Sequence, residues 1–274
     1  MTTLLLVAVA CYAFGATYAI AAVWRALPPH WFRLALWLMV VGFGVHTASM
    51  VVRGWEAARC PLLTYQEVCS FLGWAIAAYF LGAYVWYRSQ ALAAFAMPMV
   101  FLFALAAWLL PTPNDTVAVL KFYGPTASLL TLHAVLFVFA YAAFAVLFVA
   151  ALLYIVQERQ LKRKRFGALW SRLPSLDTCD DVSAKALMIG FVLLTLGILT
   201  GIVGSRRLNG VYWHGDPLEF LSLATWLIYF CVVHYRLTAG WRGRRAAWLG
   251  IVGFAIVIVS LVGIGWFNGF HAIS

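Results

Sequence analysis

The sequence has few charged residues and none of the motifs that soluble enzymes use to hold nucleotides or metals. Only 10% of its 274 residues are Asp, Glu, Lys or Arg, whereas charged residues make up about a quarter of a soluble domain. Its five cysteines show no CxxC, CxxCH or zinc-binding spacing, which argues against a thiol–disulfide enzyme or a structural zinc site. The chain also has no Walker motif, no GxGxxG on a strand and no Ser/His/Asp set, so nothing indicates a soluble nucleotide-dependent enzyme or hydrolase.

Long apolar runs dominate the chain instead. The sequence is 65% hydrophobic, and roughly 20 consecutive apolar residues are enough to cross a bilayer as a helix. We predict eight such spans, at about residues 3–24, 34–52, 66–87, 91–110, 127–156, 184–204, 219–236 and 247–267. The sequence therefore predicts an all-α, polytopic membrane helical bundle that forms a single domain over residues 1–274.

Two segments beside these spans are harder to interpret. The fifth span is long, so it either tilts or continues as a helix into residues 157–165. Residues 172–183 form the longest polar connection, and Pro174 with its Ser, Asp and Thr neighbours predicts broken structure before the sixth span.

The distribution of basic residues predicts the orientation. A net charge of +10 could suit nucleic acid, but the basic residues lie in loops between spans, so we expect a lipid bilayer and no nucleic acid as partner. With residues 159–165 placed inside, five of the 19 Lys and Arg residues remain outside: Arg53, Arg59, Lys121, Arg206 and Arg207. This bias follows the positive-inside rule. Both termini and the 205–218 loop are therefore expected on the outer side.

One loop is polar and aromatic in an otherwise apolar chain. Residues 209–226 contain Tyr212, Trp213, His214, Asp216, Glu219 and Trp226. Aromatic residues beside a histidine, at the mouth of a membrane bundle, suit a flat hydrophobic ligand with a metal centre, such as haem. Composition alone favours the alternative of an ordinary membrane-interface loop, where Trp and Tyr are enriched.

This loop resembles the WWD loop of the CcsA/ResC-type cytochrome c assembly proteins. That family pattern reads approximately Trp-Gly-x-Tyr-Trp-x-Trp-Asp-Pro-Lys-Glu-Thr-Trp-x-x-x-Thr-Trp. The matching positions are Gly210, Tyr212, Trp213, Asp216, Pro217, Glu219, Thr225 and Trp226. Further blocks in the same order, such as residues 190–201 and 240–248, extend the likeness over most of the chain from about residue 40. The departures are Asn209, Gly215 and Leu221 in place of Trp, Leu218 in place of Lys, and an added His214.

The resemblance implies a haem-binding integral membrane protein of cytochrome c biogenesis, in a bacterial-type inner membrane or a thylakoid-like membrane. It would present or export haem b at the outer face for attachment to apocytochrome c. Whether it is the haem-handling subunit of a cytochrome c synthase stays open. The implied partners are a CcsB/ResB-like membrane protein, apocytochrome c and thiol-reducing proteins.

Two other functions remain as alternatives. The lost loop tryptophans keep open a HemX-like membrane protein that regulates haem synthesis and has no ligase activity. A transporter of another small hydrophobic compound is the third reading, although the broken helices in paired repeats typical of such folds are not evident.

The resemblance also assigns roles to histidines. In the family, two outward-facing histidines are the axial ligands of the haem held by the loop, and His133 and His271 stand in matching places. His234 resembles the family histidine proposed to hold haem within the membrane. We therefore predict iron coordination by His133, His271 and His234, and haem contacts from Tyr212, Trp213, Asp216 and Trp226.

His46 is a further candidate for haem binding. On the predicted spans it lies about 10 Å further out than His234, and two ligands of one iron must share nearly the same depth. In the family, a partner protein usually supplies the second membrane ligand. His214 could be a substitute ligand or a hydrogen-bonding loop residue, and we favour the latter.

Three charged residues near the outer side have candidate roles. Arg206 and Arg207 could hold the haem propionates, because guanidinium groups match carboxylates in geometry. Glu67 heads the third span and is expected to pair with Arg59 or to face the loop.

Overall fold

The protein is a bundle of long helices. The computed structural model describes residues 2–25, 27–58, 60–62, 64–110, 125–164 and 172–263. This part of the chain forms α1 (Thr2–Trp24), α2 (Pro29–Ala57), α3 (Tyr65–Tyr87), α4 (Gln90–Leu109), α5 (Pro125–Lys162), α6 (Leu176–Asn209), α7 (Pro217–Thr238) and α8 (Arg244–Gly263). All eight described helices are long and apolar enough to cross a membrane. The prediction of an all-α bundle with about eight spans is confirmed.

The helices run between two ends of the bundle. We call the end that carries residues 210–216, between α6 and α7, the loop end. Side-chain bonds identify the opposite end, where they join helix termini that are distant in sequence: Arg172 to the Ala22 carbonyl, Tyr87 to Asp181, and Arg236 to Asp180. The last turns of α1, α3 and α7 and the first turns of α6 therefore lie together at the opposite end.

Helix α5 is the centre of the bundle. It packs against α3 and α4 on one side and against α6 and α8 on the other. Small residues such as Ala142, Ala143 and Ala145 are fully buried along it and let neighbouring helices approach closely. Phe144 of α5 stacks on Tyr229 of α7, with ring centroids 3.8 Å apart. One continuous hydrophobic cluster includes residues from α1 to α8.

Helix α6 begins earlier than the sequence predicted. The polar segment expected to break structure is helical from Leu176 onward, because Ser175 caps it by accepting a hydrogen bond from the Thr178 amide at 3.1 Å. Two acidic residues in the first turns find basic partners: Asp180 pairs with Arg236 and Asp181 with Lys185. Of the two alternatives for the fifth span, the structure shows continuation past residue 156, since α5 ends at Lys162.

Candidate functional site

His133 lies in a recess on helix α6. A Cβ added at Gly201 would stand 2.5 Å from His133 Nδ1, and one added at Gly197 would stand 2.7 Å from the Phe137 ring. Because Gly197 and Gly201 have no side chains, α6 leaves the space that Phe137 and His133 of α5 occupy. His133 also contacts Phe137, with ring centroids 4.6 Å apart. Residues of both α5 and α6 therefore contact the imidazole, and His133 lies about 12 Å along α5 from its first residue.

The hydrogen bond of His133 fixes its protonation pattern. Nδ1 lies 2.8 Å from the Gly197 carbonyl oxygen, which can only accept, so Nδ1 carries the proton. In a neutral imidazole the lone pair then sits on Nε2. Metal-ligating histidines are usually held in this way, with the other ring nitrogen donating to a carbonyl or carboxylate. His133 thus has the tautomer that an iron ligand needs.

The loop between α6 and α7 is tied back onto the end of α6. Ser205 Oγ donates to the Val211 carbonyl at 2.6 Å. Arg206 donates to the Gly210 carbonyl, and its guanidinium lies 5.1 Å from the centroid of the Tyr212 ring. Gly210 itself has φ +73°, the left-handed conformation that glycine adopts without strain at a helix C-terminus. Arg206 therefore shapes the loop in this structure, and propionate binding by it stays a prediction.

Glu219 and Asp216 organise the second half of the loop. The Glu219 carboxylate accepts hydrogen bonds from three consecutive backbone amides, those of residues 214, 215 and 216. Asp216 is 5% exposed and caps α7 by accepting from the Leu218 amide at 2.9 Å. These bonds make Asp216 a loop-shaping residue, and any contact between it and haem stays a prediction.

The loop presents aromatic rings at the surface. Tyr212 is 60% exposed, Trp213 is 41% exposed and Phe220 of α7 is 56% exposed. The Trp213 and Phe220 rings meet edge to face, with centroids 5.3 Å apart. Together they form an apolar surface at the loop end. The sequence interpretation had singled out Tyr212 and Trp213 but not Phe220.

Trp226 and His234 lie on one face of α7, away from the loop. Trp226 donates through Nε1 to Thr195 Oγ1 at 2.9 Å and stacks on Phe230 at 5.2 Å. Phe230 in turn stacks on His234 at 5.9 Å. His234 is exposed and lies about 26 Å along α7 from Pro217. The structure therefore places His234 toward the opposite end and does not bring it to His133.

His46 is fully buried among α1, α2 and α3. Its Nδ1 lies 3.3 Å from the Tyr12 hydroxyl, and its Nε2 lies 2.9 Å from Ser70 Oγ. Coordination of iron would require one of these bonds to break, and it stays a prediction. One turn toward the loop end, the buried Glu67 carboxylate accepts a hydrogen bond from Arg53 Nε at 2.9 Å. Arg53 is thus one partner of Glu67 that the sequence interpretation did not consider, whereas the predicted partner Arg59 lies outside the described residues.

His271 lies outside the described residues, but the helix that leads to it is described. Helix α8 runs antiparallel to α5, with Leu147 beside Gly250 and the Tyr141 hydroxyl 3.4 Å from Ser260 Oγ. The course of α8 therefore ends at Gly263 near the loop end.

The residues at the loop end fit a haem group. The half of the bundle nearer the loop end supplies an imidazole whose neutral form has the tautomer suited to coordination. The loop end itself supplies exposed aromatic faces for a porphyrin and arginine side chains that match propionates in charge. The signal for the recess at His133 was present in the sequence as the glycines of residues 190–204, but their spacing does not reveal which side chains occupy it. Among the described residues no cluster of three His, Cys, Asp or Glu side chains could hold a bare metal ion.

Comparisons with known proteins agree with this reading. Residues 62–271 match the family described as Cytochrome C assembly protein. The chain is similar to the cytochrome c biogenesis protein CcsA of Synechococcus sp. (strain CC9902), with 30% identity over 249 residues that cover 82% of each chain. It is also 30% identical over 255 residues to CcsA of Parasynechococcus marenigrum (strain WH8102), covering 81% of this chain and 83% of that protein. These names favour cytochrome c biogenesis over regulation of haem synthesis.

Proposed function

The chain belongs to the cytochrome C assembly protein family, and from this premise we propose that it holds haem b at the loop end and presents it for attachment to apocytochrome c. It is a multi-pass membrane protein of cytochrome c biogenesis, and its family handles haem. The observation that supports the finer proposal is the His133 imidazole, whose Nδ1 donates to the Gly197 carbonyl in the half of the bundle nearer the loop end.

Each group at the loop end has a role in this proposal. Haem b supplies iron for coordination and vinyl groups that accept the thiols of apocytochrome c. His133 would hold the iron through Nε2, and His271 would be the second histidine ligand that the resemblance implies. Tyr212 and Trp213 hold the porphyrin by stacking, and Asp216 and Glu219 keep the loop in shape.

We also propose that the loop end faces the outer side of the membrane. Basic residues are concentrated at the opposite end, where Lys162, Arg172, Arg236 and Arg244 lie in or beside helix termini, as the positive-inside rule requires of a cytoplasmic face. His234 and Trp226 would then contact haem deeper in the bilayer, before it reaches the loop. An alkaline phosphatase inserted in the 210–216 loop should be active, and an inactive fusion would contradict this orientation.

The proposed partners are a CcsB/ResB-like membrane protein and apocytochrome c. The described residues consist of helices and short connections, so a reaction outside the membrane needs a protein that brings the apocytochrome thiols to the loop. Thiol-reducing proteins would keep those thiols available.

A cytochrome c reporter in a strain that lacks this protein tests the proposal. The wild-type chain should restore covalent haem attachment, whereas His133→Ala should reduce it at least tenfold at equal membrane levels. His30→Ala is the matched control, because His30 is exposed near the start of α2 at the opposite end. If the wild-type chain fails to restore the reporter, or if H133A restores it fully, the proposed function is wrong.

A further inference from the structure

His214 contacts two side chains that hold the loop between α6 and α7 in shape. Its Nδ1 lies 3.3 Å from Glu219 Oε1 and 3.4 Å from Ser205 Oγ. Ser205 already gives its own proton to the Val211 carbonyl, and Glu219 is a carboxylate, so both neighbours of Nδ1 accept. The proton of a neutral His214 therefore sits on Nδ1, and the lone pair sits on Nε2.

This arrangement matches the pattern of metal-bound histidines. A carboxylate that accepts from the second ring nitrogen orients the imidazole and increases its strength as a ligand. Glu219 is itself fixed, because it accepts the amides of residues 214, 215 and 216. The His214 ring is thus positioned before any ligand arrives, although its side chain remains 20% exposed.

His214 and His133 are attached to the same face of α6. His133 packs on Gly201, and His214 packs against Ser205, four residues later. Positions four residues apart lie on one helix face, about 6 Å apart along the axis. Among the described histidines, His133 and His214 are the pair that contacts one face of the same helix within about one turn.

We propose that His214 is an axial ligand of the haem iron opposite His133, with Glu219 as its positioning residue. This proposal rests on the proposed function, because it requires haem at the loop end. It assigns a ligand to a loop residue at a position where the WWD pattern specifies no residue type. His214 and His271 would then compete for the coordination position opposite His133, and one could hold the iron while the other is displaced.

The test is carried out on detergent-purified full-length protein with its co-purified haem. His271→Ala alone should keep a six-coordinate low-spin spectrum, because His214 still binds the iron. Adding His214→Asn, which retains a donor for Glu219, should convert the haem to high spin, and added imidazole should restore low spin. H214Q in the H271A background is a second loop variant, and its haem should also convert to high spin. The control is H30N with H271A, which should stay low spin.

The positioning role of Glu219 has a separate readout. In the H271A background, E219Q should raise the reduction potential of the haem, because a neutral amide beside Nδ1 weakens the imidazole as a donor to ferric iron. An unchanged potential would contradict the role of Glu219.

These measurements distinguish a failure of the His214 assignment from a failure of the proposed function. Wild-type protein that carries no haem contradicts the proposed function itself. Haem that becomes high spin in H271A alone, or that stays low spin in the double variants, overturns the assignment of His214 and leaves the proposed function standing.

Discussion

Replacing Gly201 by alanine should displace the His133 ring. The new Cβ would lie 2.5 Å from Nδ1 and 2.6 Å from Cε1 of that ring, whereas ordinary contacts begin at 3.4 Å. The ring must therefore retreat by about 1 Å, which stretches the 2.8 Å bond from Nδ1 to the Gly197 carbonyl. Overpacking costs about 1–3 kcal/mol and the lost hydrogen bond about 1 kcal/mol. We expect G201A to lower the free energy of unfolding by about 2–4 kcal/mol.

The same displacement should alter haem binding. A ligand must be held within about 0.5 Å of its productive position, so a shift of the ring by about 1 Å weakens its bond to iron. We expect the co-purified haem of G201A to show a mixture of high-spin and low-spin absorption and to be lost more readily to a haem-binding competitor. Thermal unfolding in detergent and absorption spectra of the same preparation measure both effects.

A neighbouring glycine provides the matched control. A Cβ at Gly204 would meet the flexible end of Leu130 at 3.2 Å, so G204A should cost less than about 1 kcal/mol and leave the haem spectrum unchanged. G201A in an H133A background should also cost little, because the ring it collides with is absent; such coupling identifies a direct contact. Equal stability of G201A and G204A, together with unchanged spectra, would refute the packing that we describe.

Two further predictions concern the polar contacts near the loop end. Arg53→Ala removes the guanidinium that donates to the buried Glu67 carboxylate and should destabilise the protein by about 3 kcal/mol. The double variant R53A/E67Q should recover part of this in thermal unfolding; equal melting of both variants would contradict the pairing. Asp216→Ala removes the N-cap of α7 and should cost about 1 kcal/mol while increasing protease cleavage within residues 210–216. D216N keeps an accepting oxygen and should resist cleavage, and cleavage equal to that of D216A would argue against the capping role.

The fold could be predicted from the sequence because crossing a bilayer requires long apolar runs that are local and easy to recognise. The start of α6 could not, since Asp180 is paired with Arg236 of another helix and Asp181 with Lys185. Arg236 lies more than 50 residues later and on another helix, so the residues of 172–183 alone indicated a break.

The candidate site was predicted in part. The resemblance pointed to His133, but residue type alone does not reveal that Gly197 and Gly201 hold its ring. His46 was a candidate whose predicted depth differed from that of His234, and the sequence did not reveal its bonds to Tyr12 and Ser70, which come from two other helices. Glu219 also has a larger role than its helix position indicated, because the loop folds back over its carboxylate.

The most direct test of the account is the electron paramagnetic resonance spectrum of haem co-purified with the wild-type protein and with H133A. We predict a low-spin ferric signal of two axial imidazoles in the wild type, and its replacement by a high-spin signal in H133A at unchanged protein yield. Wild-type protein without haem, or an H133A signal identical to the wild type, would contradict the claim that His133 coordinates haem at the loop end.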